Sequence, residues 1–254
     1  MNDDFEIVKQ IMKQPLSMKH HFQFECSRCG RCCTTISAIH LTPYDIYCLA
    51  AHLHKPVEDF IDGYCELKVT EGSIVPAVFI RLNGSTCPFH TVDGCTVYEA
   101  RPFICRLYPL GYIYSSLNQR AYYFEKDEAK GHCIGVGGKS YKLKFWLREN
   151  DAHITYSWEW FKKNYQTFEA VQDLELGESA KGVIARLIDE FSKLYYEYDT
   201  AKSFDKQYRA HERRVDDFIA AQQSRFAHRS HSGQNKTYCQ KRITKSGRMP
   251  VKPV

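Results

Sequence analysis

Residues 24–33 read FECSRCGRCC, which places four cysteines within eight positions. Sulfur at this density can pair as disulfides, ligate a metal, act as a redox nucleophile, or fill a core as a small apolar side chain. Cys26, Cys29 and Cys32 are each three apart, a spacing at which a tight loop turns three sulfurs toward one centre. Cysteine pairs separated by two residues are usual in structural zinc sites, and a run of three with a remote fourth holds 4Fe–4S clusters. Cys33 reads differently. Neighbouring side chains on an extended segment point to opposite sides, so Cys33 is expected to serve a second centre or to substitute for Cys32.

Partners for this run lie in CPFHTVDGCTVYEARPFICRLYPLG, where Cys87, Cys95 and Cys105 stand in a stretch broken by Pro88, Gly94, Pro102 and Pro109. Cys133 adds a further donor just before GVGGK. Two groups of four, 26/29/32/33 and 87/95/105/133, match the count for one or two four-thiolate sites. Four thiolates around Zn²⁺ or an oxidised 4Fe–4S core leave a net charge of about −2, which calls for nearby cations and N–H donors. Arg28, Arg31, Arg101 and Arg106 are interleaved with the cysteines where they could answer it. Cys48 and Cys65 read as core residues, and Cys239 stands alone in the tail. His90 follows Cys87-Pro88 closely enough to ligate zinc, but the ordinary reading of a lone histidine is preferred. GVGGK lacks a preceding strand and the full spacing of a nucleotide-binding fingerprint, so a loop wrapping the metal site is expected.

Ten of the eleven cysteines fall between Cys26 and Cys133. The N-terminal stretch MNDDFEIVKQIMKQ begins with acids and lacks the basic start and apolar block of a secretory signal. No apolar run, VPAVFI being typical, approaches the roughly 18 residues of a spanning helix. The expected setting is a reducing cytoplasm without membrane contact, where disulfides are rare. The formal charge of +5 is unevenly spread: residues 225–254 hold eight Lys or Arg and no acid, leaving 27 basic against 30 acidic residues in 1–224. That tail could touch nucleic-acid phosphates, although a solvated, disordered tail is the preferred reading. A protein partner is left open.

The elements that must position the thiols read as α+β. A short helix is expected over 3–14 and a strand in HHFQFEC. LTPYDIYCLAAHL is a helix with Thr42 as N-cap, Pro43 at the first position and Asp45 completing a capping box. A second helix begins at Pro56 and ends near Gly63. IVPAVFIRL favours a strand, and residues 112–126 a hairpin turning at Asn118-Gln119. A Ser140-capped helical run ends near WLREN, and another helix covers 156–172. Residues 178–198 repeat apolar positions at three- and four-residue spacing, which marks a buried helical face, and 200–223 keep a thinner seam. The expected organisation is a small cysteine-rich domain over 1–150, a helical extension over 151–224 packed on it, and the tail over 225–254.

CSRCGRCC at 26–33, CPFH at 87–90, GCTVYEARPFICRLYPLG at 94–111 and CIGVGGK at 133–139 together resemble the YkgJ-type cysteine-cluster family, which carries a CxxCxxCC zinc- or iron-chelating domain. The resemblance covers roughly residues 20–150. It implies that Cys26, Cys29, Cys32, Cys33, Cys87, Cys95, Cys105 and Cys133 are the functional set, with Arg101, Pro102, Arg106, Tyr108 and Pro109 forming the motif around Cys105. The expected function is metal binding through an iron–sulfur cluster, 4Fe–4S in type, or zinc. A related motif in flagellin lysine N-methylases suggests an alternative, S-adenosylmethionine-dependent methyl transfer. No catalytic residue is assigned.

Overall fold

Short antiparallel ribbons and one three-stranded sheet are laid against a set of longer helices. The computed structural model describes residues 10–34, 36–68, 76–114, 120–124, 136–172 and 180–232. In chain order, β1 (His21–Phe24) leads through a loop into α1 (Arg31–Thr34), followed by β2 (His40–Leu41), α2 (Pro43–His52), α3 (Val57–Tyr64), β3 (Cys65–Lys68) and β4 (Ala77–Ile80). Then come β5 (His90–Thr91), β6 (Gly94–Cys95), a 3₁₀ turn at Tyr98–Ala100, α4 (Phe103–Leu107), β7 (Leu110–Tyr114), β8 (Arg120–Phe124) and β9 (Val136–Lys142). Four helices close the described chain: α5 (Leu143–Glu149), α6 (Asp151–Gln172), α7 (Ala180–Tyr196) and α8 (Phe204–Ser232). The class is α+β.

α2 starts where the sequence places it. Thr42 Oγ1 accepts from the Asp45 amide at 3.4 Å, and Asp45 Oδ2 accepts from the Thr42 amide at 2.9 Å, with Pro43 in the first turn. Two amides that the helix leaves without partners are thereby satisfied, a contribution of about 1 kcal/mol. α3 begins after Pro56 and buries Val57, Phe60 and Ile61. β4 sits at the centre of a sheet ordered β2-β4-β3, and β7 pairs with β8 in the expected hairpin, whose turn lies outside the described residues. Of the helix expected over 3–14, only residues 10–14 are described, and 10–13 are helical.

The glycine-rich stretch departs from expectation. Val136–Lys142 is not a loop but the strand partner of β1, with Gln23 opposite Ser140 and Phe24 opposite Val136 across a bulge. A Cβ on Gly138 would stand 2.4 Å from Glu25 Cβ, and Gly137 has φ +102, so these glycines serve the bulge that carries β1 into the cysteine loop. Ser140 is therefore a strand residue. α5 starts at Leu143 after Lys142, which makes no side-chain cap. At the other end, α8 continues to Ser232, eight residues into the stretch expected to be structureless; 233–254 lie outside the described residues.

Two apolar cores form among the described residues. The larger joins Leu41, Ile46, Leu49, Phe60 and Ile80 to Trp160, Phe191, Tyr195 and Tyr208 of the long helices, all fully buried. The face expected to be buried on α7 supplies Leu187, Phe191, Leu194 and Tyr195. The smaller core joins Phe22, Phe24, Phe103, Leu107, Tyr122, Leu143 and Trp158. Among the described residues, no helix is long and apolar enough to cross a membrane.

Candidate metal centre

Seven of the eight expected cysteines face one cavity. Cys26, Cys29, Cys32 and Cys33 from the first loop and Cys87, Cys95 and Cys105 from the second line a space of about 100 Å³. It lies where the two cores meet: Cys33, Cys87, Cys95 and Cys105 pack on the larger and Cys26 on the smaller. Cys133 lies outside the described residues, as does Cys239. Cys48 and Cys65 belong to α2 and β3 and do not line the cavity. All nine cysteines among the described residues are free thiols.

Local backbone geometry brings the sulfurs together. Arg28 and Gly30 both adopt positive φ, at 57° and 73°, which winds the first loop tightly. Gly30 is also obligatory for space, since a Cβ there would overlap the His90 ring at 1.8 Å. His90 thus packs against the loop and does not line the cavity. The Cys87 amide donates to the Cys33 carbonyl at 2.7 Å, and Ser85 Oγ donates to the Thr34 carbonyl at 3.0 Å, which ties the two cysteine segments together directly. In the second segment, β5 and β6 pair His90 with Cys95, while Cys105 rides on α4.

Cys33 overturns the extended-segment expectation. Arg31–Thr34 is a helical turn, so Cys32 and Cys33 do not point to opposite sides: their sulfurs are 3.9 Å apart and face the same cavity.

The thiols strain against one another electrostatically. Its hydrogen bond with Cys33, burial and the nearby Cys33 and Cys29 hold Cys32 far above the ordinary thiol range. Burial and then Cys87 and Cys32 do the same to Cys105. Burial pushes Cys87 up to about 11, opposed by the Phe89 amide donating to its sulfur, and Cys95 is raised by burial against a donation from the Val97 amide. Clustered thiolates without a cation are unstable together, and a metal at their centre reverses that balance. Arg101 favours the thiolate form at Cys32, Cys95 and Cys105. Arg101 and Arg28 line the cavity and hold the Tyr98 ring, at 3.7 and 4.0 Å from its centroid. Arg31 and Arg106 do not line it. Among the described residues, no three His, Cys, Asp or Glu groups are drawn close enough to hold a metal ion as they stand. The donor set fits a thiophilic metal by its chemistry and by its convergence on one cavity.

Sequence reading missed the residue that anchors the second segment. Asp45, fully buried, uses Oδ1 to accept from the Phe103 amide at 2.7 Å and from His153 Nδ1 at 3.0 Å, while Oδ2 holds Thr42. One carboxylate therefore joins the cap of α2, the start of the Cys105 helix and α6. The capping box pointed to Asp45, but partners 58 and 108 residues away leave no local signal.

Comparison with family models matches residues 25–133 to the family described as "CxxCxxCC: Putative zinc- or iron-chelating domain". Comparison with curated proteins and with solved structures gives no match, and the methyltransferase expectation gains no support.

Proposed function

On the premise that residues 25–133 are a CxxCxxCC zinc- or iron-chelating domain, we propose that the chain is a cytoplasmic protein whose clustered thiolates hold an iron–sulfur cluster. The observation carrying this reading is the arrangement of seven cysteines around one cavity of about 100 Å³. A lone tetrahedral zinc draws its four sulfurs to about 3.8 Å of one another and leaves no such space between them. A polynuclear body is the better occupant, and such clusters supply one-electron chemistry at potentials tuned by charge and hydrogen bonds to sulfur.

Cys26, Cys29, Cys32 and Cys33 would hold the centre from one side, and Cys87, Cys95 and Cys105 from the other, with Cys133 as the eighth donor implied by family resemblance. The Phe89 and Val97 amides orient two of the sulfurs. Arg101 offsets the negative charge of the thiolates, and Phe24 and Ile39 give the cavity apolar walls. A second reading, zinc, is favoured by one distance: the 3.9 Å between Cys32 and Cys33 sulfurs suits two ligands of a single ion.

Anaerobic purification tests the choice. Brown protein with acid-labile sulfide and iron supports the cluster. Colourless protein with stoichiometric zinc refutes the cluster and leaves the thiolate centre standing, whereas protein free of both metals sinks the centre itself.

A further inference from the structure

A second cleft, of about 320 Å³, adjoins the thiol cavity and shares Phe24, Cys26, Tyr98, Arg101 and Tyr108 with its wall. Its volume falls in the range of small-molecule sites, about 300–1,000 Å³. The remaining lining is of another kind, with the guanidinium of Arg106, the carboxylates of Glu25 and Glu149, and the rings of Tyr141 and Trp146.

Two half-buried guanidinium groups here are bonded to backbone carbonyls. Arg106 Nε donates to the Arg101 carbonyl at 2.7 Å and a terminal nitrogen to the Glu99 carbonyl, while Arg101 Nε donates to the Tyr98 carbonyl at 3.1 Å. These acceptors are neutral, and among the described residues neither guanidinium is in an ion pair. Glu25 and Glu149 likewise make no ion pair among the described residues. Charges of both signs line one cleft, do not pair with each other, and share it with an edge-to-face pair of rings, Tyr141 and Trp146, 4.9 Å between centroids. Half-buried guanidinium groups on one side, with the exposed carboxylates of Glu25 and Glu149 at the rim, are complementary to a ligand carrying both signs, and the rings to a flat body.

We propose that this cleft binds a small ring-bearing zwitterion of the aromatic α-amino-acid class, its carboxylate on Arg101 and Arg106, its ammonium toward Glu25 and Glu149, and its ring on Tyr141 and Trp146. The inference does not rest on the identity of the metal: Arg106, Glu25 and Glu149 lie outside the thiol cavity, and only Arg101 of the proposed contacts lines both spaces.

Titration calorimetry of the full-length, metal-analysed protein tests it with L-phenylalanine and L-tryptophan, against phenethylamine and 3-phenylpropanoate. Saturable binding of an amino acid is expected, about tenfold tighter than either compound lacking one charge. Arg106→Gln should weaken it about tenfold, and Glu149→Gln severalfold with metal content unchanged. Because Arg106 also braces the turn around Glu99, the Glu149 variant keeps the test open should Arg106→Gln misfold. Absence of saturable binding, binding of phenethylamine or 3-phenylpropanoate equal to that of the amino acids, or an unchanged affinity in Glu149→Gln overturns the proposal. Metal content in the same samples separates failure of the cleft from failure of the centre.

Discussion

The region carrying the thiols and the region of long helices are held together by different means. From β1 to β8 the strands have two to five residues and the helices at most ten, whereas α6, α7 and α8 run 22, 17 and 29 residues. Strands and helices that short have little stability of their own, since isolated helices below roughly 12–15 residues are marginal in water. The helical region meets its needs by burying large side chains such as Trp160, Phe191 and Tyr208. The thiol region shares that core through Leu41, Ile46, Phe60 and Ile80 and adds cross-ties to it: the Cys87–Cys33 backbone bond, the Asp45 carboxylate and, on our reading, the inorganic centre. Metal and fold should therefore be inseparable around the thiols and should part in the long helices.

Cys87→Ser should therefore have the largest effect. Metal content is expected to fall to background and the amides of residues 21–124 to lose hydrogen-exchange protection, on the scale of the ~10 kcal/mol that a structural thiolate-bound metal contributes to folding. Cys48→Ala, on a helix outside the cavity, should keep its metal. Equal metal loss in both variants would sink the distinction between ligand and core cysteines. Chelation of the wild-type protein should reproduce the Cys87 phenotype.

Trp160→Ala probes the other side of the comparison. Trp160 packs 4.5 Å from Tyr195 and 5.3 Å from Phe191, centroid to centroid, and has no exposed surface. Its removal should cost about 3–5 kcal/mol in denaturant unfolding. Metal stoichiometry of the folded fraction should not change; a proportional loss would show that the helices hold the centre as firmly as the ties do.

Asp45→Ala sits at the joint between the regions. It leaves the Phe103 amide, the Thr42 cap and His153 without their acceptor, with a cost of about 3 kcal/mol. Because Phe103 begins the helix of Cys105, metal affinity should fall together with stability, unlike in Trp160→Ala. Stability loss without any change in metal affinity would reduce Asp45 to a helix cap.

What could be read from the sequence was local. The Thr42–Asp45 capping box, the helix after Pro56 and the buried face of α7 are written in neighbouring residues. The convergence of seven cysteines was legible through their clustering and spacing. Errors arose where a distant partner decides conformation. Val136–Lys142 is a strand because β1, more than a hundred residues earlier, pairs with it, and nothing within GVGGKS announces that. Cys33 turns inward because Gly30 winds the loop into a helical turn, with the Cys33 amide donating to the Gly30 carbonyl at 2.8 Å. The polar cleft was invisible for the same reason, its charges coming from residues 25, 101, 106 and 149.

The smallest effect concerns His40 on β2, where the sheet meets α6. Its ring lies against Phe161 and Phe79, at 5.8 and 5.2 Å between centroids, and its Nδ1 is buried with no hydrogen-bond partner among the described residues. Burial lowers its pKa to about 4 from 6.5, against a weaker opposite pull from the Asp45 carboxylate. Between those two values the unfolded chain binds a proton that the folded chain refuses, so stability declines as pH falls through 6.5 and stops declining on this account near 4. The full loss is about 3 kcal/mol, and only a fraction of it is felt at pH 6. His40→Leu, close in volume and without a proton to take up, should flatten this part of the pH profile of unfolding while leaving metal content alone. An unchanged slope between pH 6.5 and 4 would mean that His40 is protonated in the folded protein and that the contact between sheet and helix tolerates a charge.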